Sequence, residues 1–192
     1  ELFERIKNQV EEAGLELKNS MRIVSVSMNE PTLDDTMPDN ERLSWALEDA
    51  TGLSVIRIPY SVLKKLPDVL RASHFSVQCV IRVTKKDVFV YDILPADKKA
   101  IVGGLIVDIG TTTVSALLVD MISGEILAKA SAGNGQIRYG ADVINRIIES
   151  AKPGGQKRLQ DAIVKETLNP MITKMCASAG FSCQHIYRMA VA

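Results

Sequence analysis

The sequence predicts an α/β protein built from two unlike units, and three observations carry that expectation. Phe75, Val77, Cys79, Ile81 and Val83 alternate, a polar Lys85-Lys86-Asp87 comes next, and an apolar run returns from Val88 to Leu94, which reads as a β-hairpin. Nearly continuous apolar runs at Ile101–Val107 and Val114–Val119 read as buried strands. Apolar stripes at helical spacing lie among these segments, and the polar stretch Pro95-Ala96-Asp97-Lys98-Lys99 separates the hairpin from the apolar run that begins at Ile101.

Taken in order, residues 2–19 carry Leu2, Ile6, Val10 and Ala13 on one helical face, so a linker helix is expected over 1–21. An α/β unit is expected over 22–97. Its first strand is Arg22–Met28, with Val24, Val26 and Met28 alternating. A helix over Asp39–Ala50 turns Leu43, Ala46, Leu47 and Ala50 inward and stops at Gly52. A short strand, Ser54–Ile58, ends at Pro59. Ser61 is placed to cap the next helical segment, and Pro67 to start another turn. The hairpin closes the unit, and the domain break is expected at 95–101.

The second unit is expected over 98–192, in the order β-β-β-α-α-β. Ser123-Gly124 turns the chain into a third strand, Glu125–Ser131. Gly133-Asn134-Gly135 leads to a helix from about Gly140, with Val143, Ile144, Ile147 and Ile148 as its apolar stripe. Pro153-Gly154-Gly155 breaks it. A longer helix turns Leu159, Ile163, Leu168, Ile172 and Met175 inward, is kinked by Pro170 and stops at Gly180. Ile186–Ala192 reads as a buried strand at a cut edge, so the chain is expected to be a fragment of a larger protein.

Composition narrows the function. Lys and Arg together number 23 and so do Asp and Glu, so nothing in the charge balance favours nucleic acid or an anionic membrane as partner. No apolar run approaches the roughly 20 residues needed to cross a bilayer. Cys79, Cys176 and Cys183 are odd in number and widely spaced, which argues against a disulfide framework. Cys176 and Cys183 lack the spacing of a zinc or iron–sulfur motif, and all three read as buried thiols in a reducing cytoplasm. His74 and His185 are isolated, and Trp45 reads as packing.

The chemistry is concentrated in Asp108-Ile109-Gly110-Thr111-Thr112-Thr113. A buried strand runs into Asp108 and a tight turn comes after it. Gly110 lets backbone approach a ligand without a Cβ in the way. Thr111, Thr112 and Thr113 offer hydroxyls and successive backbone N–H groups, the makings of an anion-binding concavity. Asp108 can hold Mg²⁺ through water beside a phosphate and position an attacking water. Asp108 is therefore the candidate catalytic and metal residue, and Gly110, Thr111, Thr112 and Thr113 are the candidate ATP-phosphate ligands. Asn134, Gln136, Arg138 and Asp142, after the third strand, have two readings: contact with nucleotide or metal in a cleft, or loop packing and helix capping, with Asp142 favoured by the helix dipole.

Strand, phosphate turn, strand, turn, strand, helix resembles the opening of the acetate and sugar kinase, heat-shock chaperone and actin superfamily. That implies the first part of an actin-like, ribonuclease H-like ATPase domain. The stretches Gly103–Asp120 and Asn134–Arg146, above all Gln-Ile-Arg-Tyr-Gly-Ala-Asp-Val, resemble the ATP-dependent reductive activators of corrinoid proteins. So do Thr32-Leu33-Asp34-Asp35, Glu41-Arg42-Leu43 and Leu66-Pro67-Asp68-Val69-Leu70-Arg71, which resemble that family's middle domain. Gly135 departs from the family, where Pro is common.

The resemblance implies a protein that uses ATP and Mg²⁺ to reduce cob(II)alamin to cob(I)alamin on a corrinoid protein. Its electrons come from an electron donor through a [2Fe–2S] domain that this chain lacks. A second copy of the chain counts among the candidate partners. The second phosphate loop and the adenosine-binding segment lie elsewhere in such proteins, so this chain alone is expected to be inactive. Two other readings share the turn: an activator of a 2-hydroxyacyl-CoA dehydratase and a small-molecule, sugar-type kinase. Neither is expected to carry the preceding α/β unit.

Overall fold

A computed structural model describes residues 20–192, and the helix expected over 2–19 lies outside the described residues. The chain divides between Val102 and Gly103 into two compact units. Each has its own four-stranded sheet. Among the described residues no helix is long and apolar enough to cross a membrane.

In the first unit, strands β1 (Met21–Ser27), β2 (Ile56–Arg57), β3 (Ser76–Val83) and β4 (Val88–Pro95) form a sheet of order β1-β3-β4-β2. β3 pairs antiparallel with β1 and β4, while β2 runs parallel to β4. The alternation read in the hairpin is a burial alternation: Val77, Cys79 and Ile81 are fully buried. They pack with Leu43 and Leu47 of α1 (Asp39–Thr51), Val62 of α2 (Tyr60–Leu63), and Leu66 and Leu70 of α3 (Leu66–Ala72). A register shift falls between Val80 and Ile81, where Tyr91 is the extra residue on β4, and Val80, on the other face of β3, is buried as well.

Several local expectations for this unit change. Ala50 is exposed rather than inward, because it lies in the last turn of α1, where the chain leaves through Gly52 in the left-handed region at φ 71°. The buried stripe is completed instead by Arg42, whose guanidinium meets Asp35 at 2.7 Å. Ser61 caps nothing: Pro59 holds the N-cap position, and its carbonyl accepts the N–H groups of Val62 and Leu63. Trp45 is 63% exposed, since it points away from the face shared by Leu43 and Leu47.

In the second unit, β5 (Gly103–Ile109), β6 (Thr113–Asp120), β7 (Ile126–Gly133) and β8 (Ile186–Val191) give the order β7-β6-β5-β8. The first three form an antiparallel meander, and β8 runs parallel to β5. Leu105, Val107, Val114, Ala116 and Leu118 are buried, and the helical side of the core adds Ala162, Met171, Met175 and Cys176. The opposite face is open. Ile106 is 48% exposed and Asp108 is exposed too, so β5 is a one-sided strand and not the fully buried strand that its apolar run suggested. β8 is likewise exposed over its last four residues.

The chain leaves β7 through a 3₁₀ turn, Gly135–Arg138, before α4 (Val143–Ser150). α4 starts three residues later than expected because the Asp142 carboxylate accepts the Asn145 N–H at 2.8 Å and fixes the N-cap there. Its stripe of Val143, Ile144, Ile147 and Ile148 is exposed, at 56%, 70%, 62% and 56%. The long helix after it is not simply kinked at Pro170. It is α5 (Gly155–Ile163), a π-helical turn at Val164–Leu168, then α6 (Asn169–Ser178), with Pro170 in the first turn of α6. The wider turn rotates the helix, so Ala162, Thr167, Met171 and Met175 are buried while Leu159, Ile163, Leu168 and Ile172 are half-buried.

Candidate functional site

The Gly110–Thr112 turn joins β5 to β6, which pair from Ile109↔Val114 back to Gly103↔Asp120. Its upstream arm is tied to the end of the chain: the Ile109 N–H donates to the Ala192 carbonyl and the Ala192 N–H to the Val107 carbonyl, both at 2.9 Å. Gly110 has no room for a side chain, since a Cβ would stand 2.7 Å from the Thr113 carbonyl oxygen.

The segment from Asn134 to Arg146 holds the turn from one side through three successive carbonyls. The Asn134 side-chain amide donates to the Gly110 carbonyl at 2.9 Å, and the Asn134 backbone N–H donates to the Thr112 carbonyl at 2.8 Å. The Arg146 guanidinium donates to the Thr111 carbonyl between them. Among the described residues there are no cis peptides, and in a trans peptide the carbonyl of one residue and the N–H of the next point in opposite directions. Drawing the carbonyls of Gly110 and Thr111 toward Asn134 and Arg146 therefore turns the N–H groups of Thr111 and Thr112 the other way. Among the described residues those two N–H groups have no acceptor. Thr111, Thr112 and Thr113 are exposed, so the donors face the surface. The result is a small cluster of backbone donors without opposing carbonyls, which is the chemistry of an anion site.

Asp108 sits two residues upstream on the open face of the sheet. It pairs across the ladder with Ser115, which pairs with Ser131, and the two serine hydroxyls lie 3.4 Å apart. A depression of about 520 Å³ on this face is lined by Ile106, Asp108, Ser115, Leu117, Lys129 and Ser131. The Asp108 carboxylate has no hydrogen bond or ion pair among the described residues, so it is free to engage a solvated cation or a water.

The four residues read two ways all have protein partners. Asn134 is buried at 2% exposure, and besides bracing the turn its Oδ1 accepts the Gln136 N–H at 2.9 Å, capping the 3₁₀ turn. Gln136 donates to the Leu159 carbonyl at 3.0 Å and accepts from Arg146 at 3.2 Å. Arg138 pairs with Glu166 and lies 5.0 Å over the Tyr139 ring. Asp142 caps α4, and the hydrogen bond from the Asn145 N–H holds its carboxyl below the usual carboxylate range.

Two structural residues escape a reading of the sequence. Arg146 is bonded at once to Thr111, Gln136 and, at 3.0 Å, the Gly140 carbonyl. Thr167 accepts the Gly135 N–H at 3.1 Å and donates to the Ala162 carbonyl at 2.8 Å, which anchors the loop to the π-helical turn. An Arg four residues after an Asp N-cap was the available signal for the first. The second carried none.

Among the described residues no group of three or more His, Cys, Asp or Glu side chains is placed to hold a metal ion. Cys79 and Cys176 are buried, and burial pushes both thiols up to about 12. Cys183 is exposed and not the buried thiol expected from the sequence, because it opens the short 3₁₀ turn Cys183–His185 that leads into β8. These residues supply no ligand set for an iron–sulfur cluster. The N–H groups of Thr111 and Thr112, in contrast, offer donors that suit a phosphate group, while the Asp108 carboxylate would face such an anion only across a cation.

Comparison with known proteins gives three findings. Residues 10–100 match the family described as the RACo linker region, and residues 103–192 match the RACo middle region. The corrinoid activation enzyme RamQ of Eubacterium limosum is 34% identical over 131 residues, covering 67% of this chain and 21% of that protein. The solved structure of a reductive activator for corrinoid, iron–sulfur protein superposes with a TM-score of 0.73 at 31% identity. That alignment covers 96% of this chain and 31% of the other. The chain thus spans 21% of its curated relative and 31% of the solved one.

Proposed function

The chain belongs to the RACo family, of which it carries the linker and middle regions, and from that premise we propose that it is part of an ATP-dependent reductive activator of a corrinoid protein. In this reading residues 22–97, which match within the linker region and not the middle region, form a separate α/β domain, and residues 98–192, most of which match the middle region, open an actin-like ATPase domain. The protein as a whole transfers one electron to corrinoid cobalt, taking cob(II)alamin to cob(I)alamin. The electron comes from an iron–sulfur domain whose ligands are not among the described residues. ATP hydrolysis supplies the free energy for this uphill step.

The observation that supports the ATP reading is the turn, whose carbonyls are drawn to Asn134 and Arg146 while the N–H groups of Thr111 and Thr112 face outward. Backbone donors fixed in advance cost no reorganisation when phosphate charge arrives. Gly110 lets the turn close without a Cβ against the Thr113 carbonyl, and Thr111–Thr113 add hydroxyls. Asp108, exposed and unpartnered among the described residues, would hold Mg²⁺ through water and orient the attacking water.

The test is anaerobic and spectroscopic. The full-length protein is mixed with a corrinoid protein holding cob(II)alamin and a reductant, and the cob(I)alamin absorption is followed with and without ATP. Reduction should occur with ATP and stall without it or with a non-hydrolysable analogue. Equal rates with and without ATP would refute the reading.

A further inference from the structure

We infer that Arg146 is a positioning residue for nucleotide phosphate: it sets the orientation of the Thr111–Thr112 peptide and so decides whether the turn presents a donor or an acceptor to the ligand. This rests on the phosphate reading of the turn given above.

The geometry is particular to this side chain. Thr111 is exposed, and its peptide has no side-chain brace other than Arg146 among the described residues. The two flanking carbonyls are held by Asn134, one through its side chain and one through its backbone. The middle carbonyl depends on α4. Arg146 reaches it because its own fork is fixed on the other edges, with Nε donating to the Gly140 carbonyl at 3.0 Å and Nη1 donating to the Gln136 Oε1 at 3.2 Å. Gln136 is itself anchored on the Leu159 carbonyl of α5 at 3.0 Å. Three acceptors in three directions suit a planar guanidinium with five donors and not an ammonium, which is a point charge on a flexible stem.

Without the guanidinium, the Thr111–Thr112 peptide is free to rotate. Rotation would bring the Thr111 carbonyl to the ligand side and take the Thr112 N–H away, placing a lone pair against phosphate oxygens. The penalty falls on phosphate binding and leaves the fold in place, because the core of this unit does not involve Arg146.

The experiment uses the full-length protein with ATP. Arg146→Lys and Arg146→Ala are compared with wild type for KM and kcat of ATP hydrolysis, with melting temperature as the control for folding and Asp108→Ala as the control for the site. The expected result is a KM for ATP raised about tenfold in Arg146→Lys, the worth of one charge-assisted hydrogen bond, with a smaller change in kcat and an unchanged melting temperature. If KM stays within about twofold of wild type in both variants while Asp108→Ala abolishes turnover, Arg146 does not position the turn. A fall in kcat and melting temperature with no change in KM would also overturn the proposal, leaving Arg146 a structural residue. Wild-type turnover in Asp108→Ala would instead overturn the phosphate reading itself.

Discussion

Asn134→Asp is the most informative single change to the loop that holds the turn. It keeps the size and shape of the side chain. The introduced carboxylate can still accept the Gln136 N–H, now 2.9 Å from Oδ1, but it cannot donate to the Gly110 carbonyl, now 2.9 Å from Nδ2. The site is 2% exposed, so water does not replace the lost donor. Leaving a buried carbonyl unpaired costs about 1–3 kcal/mol, and turning a buried carboxylate against it adds to that. We expect a total of about 3 kcal/mol at neutral pH.

The pH dependence gives a second check on the same variant. A carboxyl facing a carbonyl in a buried site has its folded-state pKa raised, since the neutral form can donate. The destabilisation should therefore be smallest below about pH 4, the ordinary carboxylate range, and grow as pH rises through and beyond it. Because the chain has two units, a single unfolding free energy is poorly defined, and local hydrogen exchange is the better assay. At pH 7, peptides from 103–192 should exchange roughly a hundredfold faster in the variant than in wild type, while peptides from 21–95 serve as an internal control. Exchange within about threefold of wild type at pH 7, or a variant-to-wild-type ratio that does not fall on acidification, would refute the bracing role of Asn134.

Gly110→Ala should disturb the turn directly, because its Cβ would stand 2.7 Å from the Thr113 carbonyl oxygen and backbone would have to move. ATP turnover of the full-length variant should fall on the order of a hundredfold, and turnover near that of wild type would contradict the dependence of the phosphate site on the backbone geometry of this turn. Glu149 is held below the usual carboxylate range by hydrogen bonds from Lys152 and then Arg158, against the opposing effect of burial. Its contribution is present above its ordinary value of 4.5 and is lost as pH falls through the lower folded-state value. Glu149→Gln should thus flatten the acid limb of the stability profile of residues 103–192, and an unchanged limb would show that other groups control it.

What could be read from the sequence was set by pattern length. The hairpin of Ser76–Val83 and Val88–Pro95 follows from five alternating apolar residues and a three-residue polar turn, a signal that tertiary contacts only sharpened. The α1 helix was legible for the same reason, with Leu43 and Leu47 one turn apart and Gly52 beyond. The site was legible as a motif but not as a mechanism. Asp108, Gly110 and the three threonines announce phosphate chemistry by residue type.

The orientation of their peptides, however, depends on Asn134 and Arg146, 24 and 35 residues away from the carbonyls they hold. No local pattern encodes a contact at that separation. The π-helical turn escaped for a similar reason: Pro170 signals a break, but the widened turn ahead of it is held by the hydroxyl of Thr167 and its bond to Gly135. The apolar runs misled about burial. Ile106, Ile144 and Ile147 belong to apolar patterns, yet they lie on open faces of a sheet and a helix.

The most direct test of the phosphate site is Asp108→Ala in the full-length protein. The carboxylate is exposed and unpartnered among the described residues, so its removal should leave circular dichroism and melting temperature unchanged. ATP-driven formation of cob(I)alamin at saturating ATP should then be abolished, because the turn would keep its phosphate donors and lose the group that organises metal and water. Turnover equal to that of wild type at saturating ATP, in a folded variant, would contradict the account.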